Sequence, residues 1–577
     1  MNYLDREKIK KRITVISVIF FLIMTVIVIK AVNLQIFQGQ WLSAKAANQY
    51  ESSMVTLGKR GSIFDANHRQ MAVSIDVTSI AAYPSKIEDK REAARTVSKA
   101  LNIDRKNLYK KLAAKKMFVW SKRHVTPKEA EAVKKLGING IDFITENSRY
   151  YPNRQLAAQL LGFSGLDGRG LEGVEFLFDA YLKGSDKKIK ILKDGKGKGF
   201  DFDKIFVKNS GNNIVLTIDN TLQYIAEEAL KEAVINFSAK SGIAIIMNPK
   251  TGAILSIAHF PFFNPNSFKD FDRQCWRNRA VTDQFEPGST MKIFSAAAAL
   301  ETGLCSPDSI FFCENGAYKI GRNIVHDSHP RAWLSLQQII KYSSNIGSVK
   351  VSEKTGKEAL YNKLRDFGFG AKTGIDLPGE TKGALPNYKR WTKIDTGAIS
   401  FGHGVSASAI QLITAASAIA NNGVMMKPYV VQAVTDQNGR IIKSFGPKME
   451  RRVITAKTAE TMKKIMETVV TSGGTGVNAY IAGYPVCGKT GTAQKIDARG
   501  KYTKDKYVAS FMGFTPAENP AISVLVIIDE PLNEYYGGIV AAPVFKKIVV
   551  NTLEYLNILP ESDAERLTAS IKNGAKG

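Results

Sequence analysis

The longest apolar run of the chain lies near its start, from Ile13 to Ile29, interrupted only by Thr14, Ser17 and Thr25. A helix over those residues covers about 26 Å, close to the hydrocarbon thickness of a bilayer, and Lys30 can reach the far interface. Arg6, Lys8, Lys10, Lys11 and Arg12 precede the run against Asp5 and Glu7. That excess of positive charge holds residues 1–12 in the cytoplasm. A cleaved signal peptide would have a shorter apolar core followed by small residues at a cleavage site. The following "KAVNLQIF" offers none. The pattern predicts an uncleaved transmembrane anchor over residues 13–33. No second run of similar length follows, so the rest of the chain is expected outside the cytoplasm.

After the anchor the periodicity alternates. Apolar residues in "EAARTVSKALNI" and "TPKEAEAVKKLGI" recur at helical spacing, between short strand-like runs. The glycine- and lysine-rich stretch from Gly184 to Asn213 reads as exposed loops and hairpins. A new texture begins at "IVLTIDNTLQYIAEEALKEAV", a strand and then a long amphipathic helix. "SGIAIIMNPKTGAILSIAHF" follows, two apolar runs around a turn, which predicts a hairpin. Residues from about 285 to 425 are mostly helical and alanine-rich, and the end returns to strands at "YVASFMGFTP" and "AISVLVIIDEP" before the helix "APVFKKIVVNTLEYLNIL". Strands at both extremities with helices between predict one antiparallel sheet covered by helices, an α+β domain. The expected organisation is a cytoplasmic tail (1–12), an anchor (13–33), an elongated mixed α/β pedestal (34–220), the α+β domain (221–560) and a polar tail (561–577).

Composition narrows the partners. The 577 residues include 80 basic and 53 acidic side chains, a formal net charge of +27. Such a surface attracts polyanions: nucleic acid, anionic lipid or an anionic wall polymer. No nucleic-acid-binding signature is present, and the exported position also argues against that partner. Cys275, Cys305, Cys313 and Cys487 form no Cys-x-x-Cys pair, and His326 with His329 lacks further ligand spacing, so no metal site and no cofactor is expected. Cys305 and Cys313 are close enough for a small bridged loop, although buried free thiols are the simpler expectation.

Lys-Thr-Gly occurs four times, at Lys250, Lys354, Lys372 and Lys489. The first fills a hairpin turn, the second follows a helical run and its own Gly356 suits a C-terminal cap, and the third lies in a glycine-rich loop. The copy at Lys489 follows "YPVC" and precedes a further strand. Alternation puts Lys489 and Gly491 on one strand face, with bare backbone for a ligand to approach. "FEPGSTMKIF" places Ser289 at a helix start with Lys292 three residues on, a hydroxyl beside an amine at a helix N-terminus. A second Ser-x-x-Lys at Ser185 has no apolar helix after it and is set aside. Ser343 and Asn345 sit where one helical run ends and another begins, a position that is often only an N-cap.

Taken in order, Ser289-x-x-Lys292, Ser343-x-Asn345 and Lys489-Thr490-Gly491-Thr492 resemble the three signatures of the penicillin-binding proteins. The likeness extends to "RGSIFDANHRQMAVS", "RYYPNRQLAAQLLGFSGLDGRGLEGVEFLFD", "LTIDNTLQ" and "EYYGGIVAAPVF". It points to the class B members, single-span peptidoglycan D,D-transpeptidases, and most to the division-specific FtsI type. The resemblance implies Ser289 as nucleophile, Lys292 as general base and Ser343 as proton relay. Asn345 and Lys489 would be catalytic supports. Thr490, Gly491 and Thr492 would bind substrate, with an oxyanion hole from the Ser289 and Thr492 amides. It further implies stem peptides ending in D-Ala-D-Ala as substrate, β-lactams as inhibitors, and an FtsW-type glycan polymerase and other divisome membrane proteins as partners at the septum. An elongation-type transpeptidase, a D,D-carboxypeptidase or β-lactamase, and a penicillin-binding scaffold or sensor would share these motifs. The retained anchor and long pedestal argue against a β-lactamase, and the three intact motifs argue against a scaffold. The chain departs from the family pattern at Ala66 and His68 in the pedestal turn, at Cys487, expected on the Lys489 face beside the cleft, and at His403, expected to pack.

Overall fold

A computed structural model describes residues 3–42, 45, 51–56, 58–184, 187–192, 210–497 and 500–560. Contacts divide the chain into two units: residues 1–58 with 184–210, and residues 59–183 with 211–577. In the first unit, α1 (Tyr3–Val32) runs into a π-helical turn over Asn33–Phe37. It begins well before the apolar run, so the basic flank is helical too. Among the described residues, the segment Glu7–Phe37 is the one helix long and apolar enough to cross a membrane. Its apolar side chains, Ile16, Phe21 and Val26 among them, are exposed all round, as a lipid-facing helix requires. Strands Glu51–Thr56 and Lys187–Leu192 pair antiparallel. Most of the basic stretch between Gly184 and Asn213, the Ser-x-x-Lys at Ser185, and the tail 561–577 lie outside the described residues.

Among the described residues, the second unit holds two large sheets and three two-stranded ones. One has seven strands, in the order Ile441–Ser444, Val431–Thr435, Asn213–Leu216, Ile63–Phe64, Gln70–Ala82 and Val119–Val125, with Ile141–Tyr150 also along Gln70–Ala82. Two of these strands come from far down the chain. Helices over Lys90–Leu101 and Arg105–Ala113 bury Ala94, Val97, Leu101, Leu108 and Leu112 against Ile80, Ala82 and Val119. Asp89 and Asp104 cap them, and Thr126 with Glu129 forms a capping box on Pro127–Lys134. The pedestal turn persists with His68 in the left-handed region (φ 59°). Asp65 accepts from the Asn67 amide (2.9 Å) and the Arg69 amide (2.7 Å), which fixes the turn without the usual glycine. Asn67 then donates to Asp219, the N-cap of α2 (Asn220–Asn236), at 2.7 Å.

The motif residues of the pedestal meet in a buried ionic cluster. Glu175, fully buried, accepts from Arg60 (2.6 Å) and Arg149 (2.5 Å), and Tyr151 donates to it at 3.2 Å. Arg60 also donates to Asp179 at 2.5 Å. Burial alone would push the Glu175 carboxyl up; the guanidiniums of Arg149 and Arg60 outweigh it and hold it below the usual range.

The other sheet is formed by both ends of its domain, as the pattern predicts. Its strands are β1 (Ser241–Met247), β2 (Ile254–Phe260), β3 (Cys487–Ile496), β4 (Tyr502–Thr515) and β5 (Ile522–Asp529). Their order is β3-β4-β5-β1-β2, antiparallel throughout. Alternation sends Ile243, Ile245, Leu525 and Ile527 into one core and Ala244, Ile246, Val524 and Val526 into another. On the second side lie α2 and a closing helix over Ala542–Tyr555; on the first lies the fully buried helix Ala409–Ala420. A sheet covered on both faces reads as continuous apolar runs, hence "AIIM" and "VLVII".

The ionic cluster gives a stability prediction. Glu175→Ala leaves two buried guanidiniums without their shared carboxylate and is expected to cost about 3–5 kcal/mol. Chemical denaturation of the full chain in detergent should show an earlier midpoint than wild type.

Candidate active site

The nucleophile candidate lies on a tight turn rather than in regular helix. Gly288–Met291 is a 3-10 turn, and α3 (Lys292–Glu301) follows it directly. Thr290 donates to the Pro287 carbonyl at 2.7 Å, closing the turn. Ser289 is half-buried between two buried neighbours. The turn packs against β3, where only glycine fits: a Cβ on Gly491 would meet the Ser510 Oγ at 2.2 Å and the Thr290 Cγ2 at 2.8 Å. Lys489, two residues before Gly491 on the same strand face, is thereby brought to the nucleophile turn.

Ser343 supplies the meeting point. Helix Leu336–Tyr342 ends there, with Ser343 in the left-handed region (φ 60°, ψ 41°), and α4 (Asn345–Thr355) begins. The Ser343 hydroxyl lies 2.9 Å from the Lys489 Nζ and 3.2 Å from the Lys292 Nζ. Lys292 also donates to the Ser343 carbonyl (2.6 Å) and the Asn345 Oδ1 (2.7 Å). Lys489 reaches the Thr490 carbonyl at 3.2 Å and its hydroxyl at 3.4 Å. Both lysines are fully buried. Burial lowers Lys292 to about 7, against the opposing pull of Asp327. Burial, and then the charge of Lys292, holds Lys489 well below the ordinary lysine range. Among the described hydrogen bonds none involves the Ser289 hydroxyl.

Strand β3 continues the site. The Thr490 hydroxyl donates to Thr475 at 2.9 Å, and the Thr492 hydroxyl accepts from the Gly537 amide at 3.0 Å. Gly537 lies so close that a Cβ there would sit 2.3 Å from the Gly491 and Ser510 carbonyls. "YYGG" is therefore the buttress behind the carboxylate-binding candidates. The structure thus joins Lys292, Ser343, Asn345, Lys489 and Thr490 by hydrogen bonds and stacks the Ser289 turn on Gly491.

Several neighbours were not found from sequence. Asp327 accepts from the Ser344 hydroxyl (2.5 Å), the Asn345 amide (2.5 Å) and the Ile346 amide (3.0 Å). Thr475 lies in a glycine-rich turn and carries no spacing signal. His403 does more than pack: its Nδ1 is 3.1 Å from the Tyr502 hydroxyl, which donates to Glu286 at 3.0 Å. Burial, with the nearby Lys292 charge, lowers His403 to about 4, so it is neutral at physiological pH.

The remaining Lys-Thr-Gly copies are structural. Gly252 takes φ +82° in its turn, Gly356 caps α4 at φ +83°, and Thr373 donates to Glu380 at 2.6 Å. All four cysteines are free thiols, and Cys305 and Cys313 are not bridged. Cys487 does not border the cleft. It is fully buried and donates to the Lys463 carbonyl at 3.3 Å.

Residues 242–550 match the penicillin binding protein transpeptidase domain and residues 55–216 the penicillin-binding protein dimerisation domain. The chain is 35% identical over 568 residues to a probable peptidoglycan D,D-transpeptidase PenA of Neisseria meningitidis, covering 96% of this chain and 95% of that protein. It is 34% identical over 582 residues to the peptidoglycan D,D-transpeptidase FtsI of Buchnera aphidicola, covering 98% and 100%. Penicillin binding protein 3 of Mycobacterium tuberculosis, solved with aztreonam, superposes with a TM-score of 0.69 at 28% identity, covering 88% of this chain and 99% of that one.

Burial pushes the Cys487 thiol well above its ordinary range and closes it to solvent. Maleimide treatment of the folded chain is expected to leave Cys487 unlabelled, with half-buried Cys275 reacting first. Peptide mass spectrometry before and after denaturation checks this.

Proposed function

Because the chain belongs to the penicillin-binding proteins with a transpeptidase domain, we propose that it cross-links septal peptidoglycan through an acyl-enzyme on Ser289. Donor stem peptides ending in D-Ala-D-Ala supply the acyl group. The observation that carries the assignment of roles is the Ser343 hydroxyl held between two buried lysines. An unassisted serine hydroxyl is a poor nucleophile. Lys292, at about 7, is largely available as a neutral amine at physiological pH and takes the Ser289 proton. The Ser289 oxygen bonds to the penultimate D-Ala carbonyl carbon. The peptide C–N bond then breaks, and D-alanine leaves with a proton relayed through Ser343. Asn345 orients the peptide. Lys489 donates hydrogen bonds beside the subsite, and Thr490, Gly491 and Thr492 hold the terminal carboxylate.

The Ser289 and Thr492 amides stabilise the oxyanion, a pair for which loss of one donor costs about 3 kcal/mol. Attack by an amine of a neighbouring stem peptide breaks the ester, forms the cross-link and returns the proton to the site. β-Lactams acylate the same serine. Helix α1 anchors the chain with the catalytic part on the outer side of the cytoplasmic membrane. The division-type relatives support a place at the septum, beside an FtsW-type glycan polymerase and other divisome membrane proteins.

Intact mass spectrometry after penicillin treatment should show one adduct, and Ser289→Ala should abolish it. The acylation rate should be low in acid and rise to a plateau as pH passes through about 7, because only the neutral Lys292 accepts a proton. Labelling that persists in the Ser289 variant would remove that residue from its role. A fluorescent fusion should gather at the division septum. Sidewall patches instead would make the enzyme an elongation type.

A further inference from the structure

Ser343 occupies a backbone region that non-glycine residues rarely adopt, at a φ of 60°. Such a residue persists only where its surroundings over-determine it. From upstream, the Ser343 and Ser344 amides donate to the Ile340 carbonyl (3.3 Å) and the Ile339 carbonyl (3.0 Å). From inside, Lys292 holds the Ser343 carbonyl at 2.6 Å. From downstream, three donors on consecutive residues converge on one carboxylate, that of Asp327. The preceding residue completes the grip, since the His326 carbonyl accepts from the Asn345 Nδ2 at 2.9 Å.

We propose that Asp327 is a positioning residue of this site: its carboxylate pins the turn that carries Ser343 and Asn345 and presents a negative charge to Lys292. The proposal rests on the catalytic reading above. Lys489 on β3 and His403 on the loop after Lys393–Ser400 also face Lys292, whose charge disfavours the charged form of each. Burial disfavours the charged form of Lys292 itself. Asp327, on the loop after Asn323–His326, opposes burial and favours the charged form. The carboxylate itself is faced by the buried Cys313 thiol, which stays protonated because burial, first, raises it. Without Asp327, Lys292 would lose its proton at lower pH, while the relay serine would lose its fixed place. The residue thus trades base strength against geometry through a single group.

The experiment is β-lactam acylation of the full chain across pH, comparing wild type, Asp327→Asn and Ser344→Ala. Asparagine retains an acceptor oxygen for the amides but removes the charge. Its acid limb is expected to move to lower pH by roughly half a unit or more, and its plateau rate to fall roughly tenfold. Ser344→Ala removes one of the three donors and leaves the charge, so its plateau should fall with the limb unmoved. A thermal melt of each variant separates loss of folding from loss of rate. An Asp327→Asn enzyme that folds, with wild-type plateau and limb, overturns the proposal. A wild-type chain that is not acylated at Ser289 overturns the catalytic reading instead, so the two failures are distinguishable.

Discussion

Two amines stripped of water share one serine hydroxyl, and the rest of the molecule is arranged around that constraint. Two ammonium groups cannot comfortably both stay charged when each lies about 3 Å from the same oxygen and neither meets solvent. The cheapest resolution is for one of them to give up its proton. A serine enzyme needs that outcome, because an amine already without its proton is a base at neutral pH. The protein achieves it by exclusion of water and by mutual repulsion, tempered by one carboxylate. His403 is nearby, neutral, and engaged with Tyr502 and Glu286.

The constraint needs rigid delivery from three directions. Lys292 comes from a helix, Ser343 from a left-handed joint between two helices, and Lys489 from the edge strand of a sheet. The sheet can present Lys489 only because Gly491 lets the strand lie against the nucleophile turn and Gly537 lets the following segment lie against the strand. Small residues thus set the separations on which the electrostatics depend. A clash of a single methyl group at Gly491 would open the space between the two amines.

Much of this was legible in the sequence. The anchor, the sheet built from both ends of its domain and the three motifs all leave local marks: an apolar run, alternating or continuous apolar strands, and fixed short spacings. Burial and φ angles also separate the Lys489 copy of Lys-Thr-Gly from the three structural ones. What escaped notice lacks such marks. Asp327 acts through backbone amides of residues distant in sequence, and Thr475 sits in an unremarkable glycine-rich turn. Alternation predicts Cys487 at the cleft, but its thiol packs in the core and donates to the Lys463 carbonyl. His403 was assigned packing alone because its partners, Tyr502 and Glu286, come from separate segments.

The strands Val431–Thr435 and Ile441–Ser444 complete the sheet begun by Ile63–Phe64 and Gln70–Ala82. Val431 pairs with Leu216, and Thr217 donates to the Val430 carbonyl at 2.8 Å. Segments from the later, catalytic part of the chain are therefore woven by backbone into the pedestal sheet. Interlaced chains of this kind resist shear collectively, since sliding one part past the other requires several ladder bonds to break together. A mechanical load on the pedestal side is therefore shared, through those bonds, with the segments that lead to the catalytic side.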